Sequence, residues 1–468
     1  MQTQSFCRGD FASWDDKITT LPGLYFVALV SQPALHVALR WAESVLGLMG
    51  VALPPSASTP GGAVLQCSAR ELRLLNLVFA VLMAAVVHRI LVHLHGKPEQ
   101  RPDERRRHNL RIAVVLLFPI QYFFFFVFYT DAIGTLMVLC MYERCLASNV
   151  WMASVCGASS IFCRQTNVVW VVFCGGVVAL RRIEQESPLP ASSSAMAHVL
   201  HTARRLLSRH FFAPIVGHVA PLIFVCLGFV TFVVQNGGVA VGDKSNHQAG
   251  FHPMQPCYWM LLVLFMLWPW MLSPFRVAAF FGWLRTNRFA ALCLLLLSLL
   301  GAHYFTFAHP FLLADNRHYT FYLWKNLYRR VAMARYLIAP VYIFGGWSCS
   351  HSLVRMCSPS WVCWFLLCAC IVVVPTGLLE FRYFLTQTVM LLLHQPLYSQ
   401  LPSKSDIKSN SKGCRLETTR GVVGGEAARV EADLMGVVFY AAVNSVTIYI
   451  FLFRSFQWPD GSVARFMW

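Results

Sequence analysis

The chain has 468 residues, of which 57% are hydrophobic and only 13% are charged. Soluble domains carry about 25% charged residues, and several apolar runs approach the ~20 residues that a spanning helix needs. The composition therefore excludes an ordinary soluble protein and indicates a polytopic membrane protein. The formal net charge of +17 gathers in clusters that typically mark cytosolic loops, which makes nucleic-acid binding the weaker interpretation.

The N-terminal region, residues 1–71, contains no clear spanning helix. No apolar segment precedes residues 11–25. Residues 21–48 are apolar but interrupted by polar side chains, so they form either a poor spanning helix or an amphipathic segment at the interface. Cys7 and Cys67 can pair if both face an oxidising lumen, although nothing in the sequence requires it. We predict a loop with an amphipathic segment.

The rest of the chain predicts an all-α bundle of about twelve spanning helices. Residues 72–398 form the bundle, 399–434 are polar and predict a flexible cytosolic loop, and 435–468 contain the last helix and a tail. The predicted spans lie at 72–95, 110–129, 131–148, 150–163, 167–180, 212–235, 257–274, 288–308, 336–349, 360–379, 382–398 and 435–453.

The charges separate the two faces of this bundle. If 21–48 lies on the surface, the basic runs 101–111, 181–210 and 399–434 fall on one side, and mixed polar and aromatic motifs fall on the other. The cluster 329–335 does not fit this division. It follows the motif at 309–322 too closely for a helix to intervene, so it either shares the non-basic face or is preceded by a short re-entrant turn.

Six of the 21 acidic residues lie in the motifs of the non-basic face: Asp15, Asp16, Asp131, Asp243, Asp315 and Glu380. A carboxylate at a membrane face is a functional candidate, and the alternative is an ion-pair partner that orients helices. Sugar transfer with inversion requires a carboxylate as base beside the acceptor hydroxyl and cations on the leaving phosphate.

Four cations fit the leaving phosphate. Arg164, Arg317 and Arg382 offer the planar fork that suits phosphate, and Lys244 offers a point charge. The chain contains no Asp-x-Asp motif, so a lipid phosphate donor is favoured over a metal-bound nucleotide sugar. His309 and His318 can bind phosphate or sugar hydroxyls, or serve as structural groups. The aromatic side chains, including Tyr319, can stack on sugars or form an interfacial belt.

These motifs, taken in order, resemble the dolichyl-phosphate-glucose-dependent alpha-1,2-glucosyltransferases of the endoplasmic reticulum. The most specific are Ala-Asp-Asn-Arg-His-Tyr-Thr at 314–320 and the terminal Arg-Phe-Met-Trp at 465–468. The other matching segments are Lys-Ile-Thr-Thr-Leu-Pro-Gly at 17–23, Phe-Tyr-Thr-Asp at 128–131, Phe-Cys-Arg-Gln-Thr-Asn at 162–167, Gly-Asp-Lys-Ser at 242–245 and Leu-Glu-Phe-Arg-Tyr-Phe at 379–384.

The resemblance implies a GT-C-type fold, a lumenal active site, dolichyl phosphate glucose as donor and no metal cofactor. The acceptor would be the di-glucosylated oligosaccharide on dolichyl diphosphate. We predict that Asp15 or Asp16 is the base and that the four cations bind the donor phosphate. Asp131, Asp243, His309, Asp315, Asn316, His318, Tyr319 and Glu380 would bind or orient the substrates.

One departure from that family bears on the base. Its members begin with a membrane helix and an acidic Asp-Glu motif before the region equivalent to residues 2–7. In GT-C enzymes the base is typically an Asp of that first lumenal loop. We therefore expect an incomplete gene model, with Asp15 or Asp16 serving as base as the alternative. The rival functions are another GT-C transferase, a transporter or channel-associated protein, and a catalytically dead paralogue.

Overall fold

A computed structural model describes residues 2–49, 67–98, 102–190, 193–242, 244, 250–307, 309–331, 333–396, 417–457 and 461–468. The described chain is almost entirely helical, as the composition predicted. The first ten helices are α1 (Gln2–Cys7), α2 (Gly23–Leu48), α3 (Ala69–His95), α4 (Pro102–Leu117), α5 (Pro119–Phe124), α6 (Thr130–Leu146), α7 (Val150–Cys163), α8 (Val168–Glu186), α9 (Ala195–Leu206) and α10 (Arg209–Asn236).

The described part of the second half adds eleven helices and a small hairpin. The helices are α11 (Gln255–Met266), α12 (Trp268–Met271), α13 (Pro274–Thr286), α14 (Arg288–Tyr304), α15 (Pro310–Ala314), α16 (Tyr319–Leu323), α17 (Ala334–Leu337), α18 (Ala339–Leu353), α19 (Pro359–Val373), α20 (Leu385–Leu393) and α21 (Glu417–Phe453). Strands β1 (Phe456–Gln457) and β2 (Val463–Ala464) pair antiparallel. Short 3₁₀ turns cover Gln165–Asn167 and Phe381–Phe384, and a π-helical turn covers Trp324–Tyr328.

Local sequence signals explain several helix ends. The side chain of Asn149 accepts a hydrogen bond from a backbone N–H in the first turn of α7. Ser273 and Ser358 cap α13 and α19 in the same way, and a proline follows each of them at the first helical position. These are the preferred residues at a helix start. Helix α10 ends at Gly237, whose φ of 68° suits glycine.

Four described helical segments are long and apolar enough to cross a membrane: Ala69–His95, Gln165–Glu186, Phe212–Asn236 and Val430–Phe453. Helices α13 and α14, bent by 103°, make a fifth if the pair is one span. Other apolar helices are shorter; α7 has 14 residues, about 21 Å against the ~30 Å of a hydrocarbon core. The described chain is thus a helical polytopic membrane protein, in which length and composition alone identify four or five spans.

Two predicted boundaries differ from the structure. The predicted span 110–129 is divided between α4 and α5, because Pro119 begins a new helix and cannot continue the old one. Residues 399–416 of the predicted cytosolic loop lie outside the described residues, and the backbone is helical from Glu417.

Helix α2 has a narrow buried stripe formed by Leu24, Ala28, Gln32 and Leu35. Its middle contacts the first turn of α3, where Glu71 accepts hydrogen bonds from Gln32 Nε2 at 2.8 Å and contacts His36 Nδ1 at 2.9 Å. Glu71 lies at the start of the spanning helix α3, so its partners in the middle of α2 lie near a membrane face. If α2 crossed the membrane beside α3, its middle would lie at mid-membrane instead. The contact therefore favours the amphipathic interpretation of residues 21–48.

The chain divides into two compact units. Unit 1 comprises Met1–Val86, Gln121–Pro188 and Arg204–Gln248. In it, the buried Asn76 Nδ2 donates to the carbonyl oxygens of Phe124 at 3.0 Å and Val127 at 2.6 Å. These carbonyls lie at and just beyond the C-terminal end of α5 and lack helical partners, so the amide satisfies them and fixes α3 to that end.

Unit 2 comprises Val87–Ile120, Leu189–Ala203 and Ala249–Trp468. Its helices are joined by a buried ion pair, in which Arg111 Nη2 lies 2.9 Å from Asp433 Oδ1. Arg111 Nη1 also donates to the carbonyls of Leu392 and Gln395, and Trp270 Nε1 donates to Asp433 at 2.8 Å. One guanidinium thus connects α4 and α21 with the end of α20.

Replacing Asp433 with alanine is expected to destabilise the protein by about 3–5 kcal/mol, because it leaves Arg111 as a buried, uncompensated charge. The melting temperature of the purified full chain in detergent should fall clearly. Glu431→Ala, an exposed acidic position on the same helix, is the matched control and should change it little. Equal melting temperatures for Asp433→Ala and wild type would contradict the importance of this pair.

Candidate active site

In unit 1, the predicted base residues lie on a loop between α1 and α2. Gln2 is buried and holds this loop with both ends of its amide: Nε2 donates to the Ser13 carbonyl at 2.7 Å, and Oε1 accepts from Asp15 N at 3.0 Å. Asp15 Oδ1 accepts from Lys17 N at 3.0 Å, which closes a tight turn. Asp15 and Asp16 are therefore exposed side chains on a fixed backbone.

Two further segments of unit 1 hold the same loop. Val241 N and Gln165 Nε2 both donate to the Thr19 carbonyl, at 3.1 and 2.9 Å. A Cβ on Gly242 would lie 2.3 Å from the Asp16 carbonyl oxygen and 2.5 Å from that of Ile18. Only glycine permits this approach, so the loop, the 3₁₀ turn and the segment at 241–242 form one cluster.

Asp131 and Arg164 form a salt bridge in the same unit through Oδ1 and Nη1. Asp131 lies in the first turn of α6 and is fully buried, where the helix dipole favours its charge. Among the described residues its second oxygen, Oδ2, has no hydrogen-bond partner. Gly134 gives the Arg164 side chain room, since a Cβ there would lie 3.1 Å from Arg164 Cδ. The buried carboxylate thus fixes the direction of the Arg164 guanidinium.

Lys244 is exposed and its Nζ donates to the Asn236 carbonyl after the end of α10. The Asn236 side chain in turn donates to the carbonyls of Gly238 and Ala240 at 2.8 and 2.7 Å. The predicted substrate residue Asp243 lies outside the described residues.

In unit 2, Asp315 organises the 314–320 motif. Arg317 donates to it three times, through its backbone N at 3.0 Å, Nε at 2.8 Å and Nη2 at 2.6 Å. His318 Nε2 lies 3.2 Å from the same carboxylate. Asn316 between them is exposed. The motif is a short turn in which one carboxylate fixes the direction of a guanidinium.

The charge of Asp315 is stabilised by these contacts. Burial alone would raise the pKa of Asp315, but the hydrogen bonds from Arg317 and His318 outweigh it and hold the pKa well below its usual range. The same pair raises the pKa of Arg317, through its hydrogen bond to Asp315. Both groups therefore stay ionised over the whole physiological range.

The C-terminus packs against this motif. Met467 N donates to the Arg317 carbonyl at 3.2 Å, and His318 and Met467 form a parallel bridge. The Tyr319 ring lies 4.6 Å from Phe466 and 4.8 Å from Trp468. The terminal Arg-Phe-Met-Trp run is thus part of the same cluster as residues 314–320.

Glu380 and Arg382 form a second local pair in unit 2, through Oε2 and Nε. Glu380 is buried, and Arg382 Cζ lies 5.3 Å from the Tyr383 ring centre. His309 lies near Gly377, where a Cβ would meet its Cδ2 at 3.6 Å and His252 Nε2 at 3.1 Å. Burial, with the charge of His309, lowers the pKa of His252.

The predicted site residues therefore fall into two groups, one in each unit. Asp15, Asp16, Asp131, Arg164 and Lys244 belong to unit 1, and His309, Asp315 to Tyr319, Glu380 and Arg382 belong to unit 2. Sequence reasoning missed Gln2 and His252. The contacts of a buried amide such as Gln2 give no signal in the sequence. His252, in contrast, lies at the end of a polar segment, and that position could have identified it.

Comparison with known proteins gives a match over both groups. The family model described as the DIE2/ALG10 family matches residues 1–393. The chain belongs to this family.

Curated relatives from an animal and a plant cover the whole chain. A human protein is 33% identical over 100% of this chain and 91% of its own length. An Arabidopsis thaliana protein is 29% identical over 100% of this chain and 93% of its own length. Both are named Dol-P-Glc:Glc(2)Man(9)GlcNAc(2)-PP-Dol alpha-1,2-glucosyltransferase. No solved structure matches the chain.

The structure joins Cys7 to Cys67 by a disulfide, with Cα atoms 6.1 Å apart. After denaturation without reductant, reduction is expected to expose two further thiols to a maleimide-polyethylene glycol reagent. In a Cys7→Ser variant reduction should add none, because Cys67 is already a thiol. In a Cys145→Ser variant, which removes one buried cysteine that forms no disulfide, reduction should still expose two further thiols. Equal labelling of wild type before and after reduction would contradict the disulfide.

Proposed function

We propose that this chain is an inverting glucosyltransferase of the endoplasmic reticulum membrane. It moves glucose from dolichyl phosphate glucose to the terminal glucose of the di-glucosylated oligosaccharide on dolichyl diphosphate, and forms an alpha-1,2 bond. This is the last step in assembly of the N-glycan precursor. The observation that carries the proposal is similarity over the full chain to human and plant proteins named for this reaction.

The same similarity favours this function over the rivals. Another GT-C transferase would be expected to match relatives with a different donor or acceptor in their names, and a transporter would be expected to contain repeated halves. Relatives from animals, a plant and yeasts carry one name. The motifs that carried the resemblance are also brought together inside each unit.

The reaction requires one base and one stabilised leaving group. The acceptor hydroxyl loses its proton to a carboxylate and attacks the anomeric carbon of the donor glucose. The bond from that carbon to the phosphate oxygen breaks, and dolichyl phosphate leaves with the electron pair. Inversion follows from attack on the face opposite the phosphate.

Asp15 and Asp16 are the candidates for the base. Both are exposed on a backbone that Gln2, Val241 and Gly242 hold in place. Asp15 already accepts a hydrogen bond from Lys17 N, whereas the Asp16 carboxylate contacts no other described polar side chain or backbone N–H. Both oxygens of the exposed Asp16 carboxylate can therefore accept a hydrogen bond from the acceptor hydroxyl, so Asp16 is favoured.

Arg317 and Arg382 are the candidates for the donor phosphate, with Arg164 and Lys244 as further cations. Each arginine is held by a carboxylate, namely Asp315, Glu380 and Asp131. In this role Asp315, Glu380 and Asp131 orient the guanidinium groups rather than bind sugar. His309, Asn316, His318, Tyr319 and Asp243 would contact substrate hydroxyls.

We place the active site on the lumenal side. Disulfides persist in oxidising compartments, and the Cys7–Cys67 bond flanks the loop that carries Asp15 and Asp16. The helices of 12–17 residues, such as α7, α11 and α19, would cross where the bilayer is thinned or where they are continued by neighbouring turns. This assignment gives about twelve crossings.

The test is expression of the chain in cells that lack the terminal glucosyltransferase, followed by analysis of lipid-linked glycans. The tri-glucosylated species should reappear. Persistence of the di-glucosylated species, with the protein present in the membrane, would contradict the function. An Asp16→Asn variant in the same cells tests the base, and recovery at the wild-type level would remove Asp16 from that role.

Arg317→Lys is expected to lower the transfer rate by at least about tenfold, because lysine cannot form the two parallel charge-assisted bonds. The decrease in transfer rate relative to wild type should be the same at pH 6 and at pH 8. The folded-state pKa of Asp315 is depressed, so its stabilising contribution is lost only as pH falls through that low value. Arg355→Lys, at an exposed arginine of the same unit, should retain full activity. Wild-type transfer by Arg317→Lys would exclude the phosphate role.

A further inference from the structure

Four cations follow the 314–320 motif in unit 2: Lys325, Arg329, Arg330 and Arg335, here called the basic patch. Residues 319–328 form one continuous run of an α and a π turn, and the next helix, Ala334–Leu337, has four residues. Ten helical residues rise at most about 15 Å, about half of the ~30 Å hydrocarbon core. The chain between the motif and the basic patch is therefore too short to cross a membrane, which favours the same face for the basic patch as for Asp315 and Arg317.

The basic patch has no carboxylate partner within the described chain. Lys325, Arg329 and Arg330 are exposed, and none of the ion pairs among the described residues includes them. Between Lys244 and Arg382 the sequence contains only two acidic residues, Asp315 and Glu380. Each of the two forms an ion pair with the arginine two positions later in the sequence. No carboxylate of the described chain neutralises the basic patch, which leaves its cations open to an anionic ligand.

The position of these charges is unusual for a membrane protein. Lysine and arginine concentrate in cytosolic loops and are depleted from the opposite face. On the proposed lumenal face, a cluster of cations with no carboxylate partner in the described chain therefore needs a functional reason.

Apolar side chains surround the cations. Leu323 is 39% exposed, Val331 46%, Met333 58% and Leu337 68%. The Lys325 ammonium lies 5.5 Å from the Phe321 ring centre, and Arg335 Cζ lies 5.2 Å from that of Tyr336. Exposed hydrocarbon interleaved with cations fits a ligand that has an anionic group joined to a long apolar chain.

We propose that the basic patch binds the diphosphate of the polyprenyl-diphosphate-linked acceptor; this inference rests on the proposed function. A diphosphate bridging a lipid and a sugar carries two negative charges, whereas the phosphodiester of the donor and the common anionic phospholipids carry one. Arg329 and Arg330 supply two planar forks for two phosphates, and Lys325 adds a third charge. The exposed Leu323, Val331 and Met333 contact the first isoprene units.

The test compares Arg329→Gln/Arg330→Gln with Arg285→Gln/Arg288→Gln, a control that removes two exposed arginines from the α13–α14 bend. The full chain is placed in nanodiscs of neutral phosphatidylcholine. The apparent KM for the lipid-linked acceptor should rise about tenfold in the patch variant, from the loss of charge-assisted contacts. The KM for dolichyl phosphate glucose should stay within about twofold, and the control should match wild type.

Direct binding keeps the inference separate from the transferase activity. Radiolabelled farnesyl diphosphate and farnesyl phosphate serve as probes, with inorganic pyrophosphate as competitor. The patch variant should lose farnesyl diphosphate binding more than farnesyl phosphate binding, and Arg329→Lys/Arg330→Lys should recover part of it. This result would stand even if wild type failed to transfer glucose, which would refute the proposed function alone.

Three outcomes would overturn the inference. The first is equal farnesyl diphosphate binding by wild type and the patch variant. The second is an equal loss of both farnesyl probes, which would assign the patch to single phosphates. The third is a difference that occurs only when the nanodiscs contain phosphatidylserine, which would assign the patch to bulk anionic lipid. A patch variant that aggregates is replaced by the lysine variant and by each single Gln substitution.

Discussion

An ionised side chain in an apolar bundle is costly unless a partner neutralises it, and this constraint governs where charge occurs in the protein. With only 21 acidic residues against 38 basic ones, carboxylates are the scarce partner. In the described chain four of them each hold an arginine that is buried or fixed in one direction. Asp433 holds Arg111 inside unit 2, and Asp131 holds Arg164 inside unit 1. A cation without a carboxylate partner in the described chain is therefore a candidate for binding an anionic ligand.

The paired arginines differ in how the chain brings the partners together. Asp315 and Glu380 each precede their arginine by two residues, so the pair closes within one turn and costs little loop entropy. Asp131 and Arg164 are 33 residues apart and meet only because α6 and α7 pack together. The local pairs therefore keep their geometry through movements of neighbouring helices, which fits the donor-phosphate role proposed for Arg317 and Arg382.

Sequence reasoning succeeded where a signal is local or periodic. The helices at 130–146 and 150–163 were predicted within two residues of their ends, because apolar runs and an asparagine cap define them. It could not pair Asp131 with Arg164 or find the Gln2 amide on Ser13 and Asp15, because those contacts depend on tertiary proximity. The division of the predicted span at 110–129 was readable from Pro119, but the apolar run on both sides outweighed it.

Two classes of cation on one face suggest a division of labour that follows from their electrostatics. The pair of an arginine and a carboxylate carries little net charge. Such a pair attracts an anion weakly but holds its N–H donors in a fixed direction, which suits a phosphate that must leave after the reaction. Unpaired cations attract strongly over several ångströms and suit a group that must be held while the sugar chain is extended. The donor phosphate departs with each turnover, whereas the acceptor diphosphate stays bonded to the growing oligosaccharide. Paired arginines for the first and the basic patch for the second match those needs.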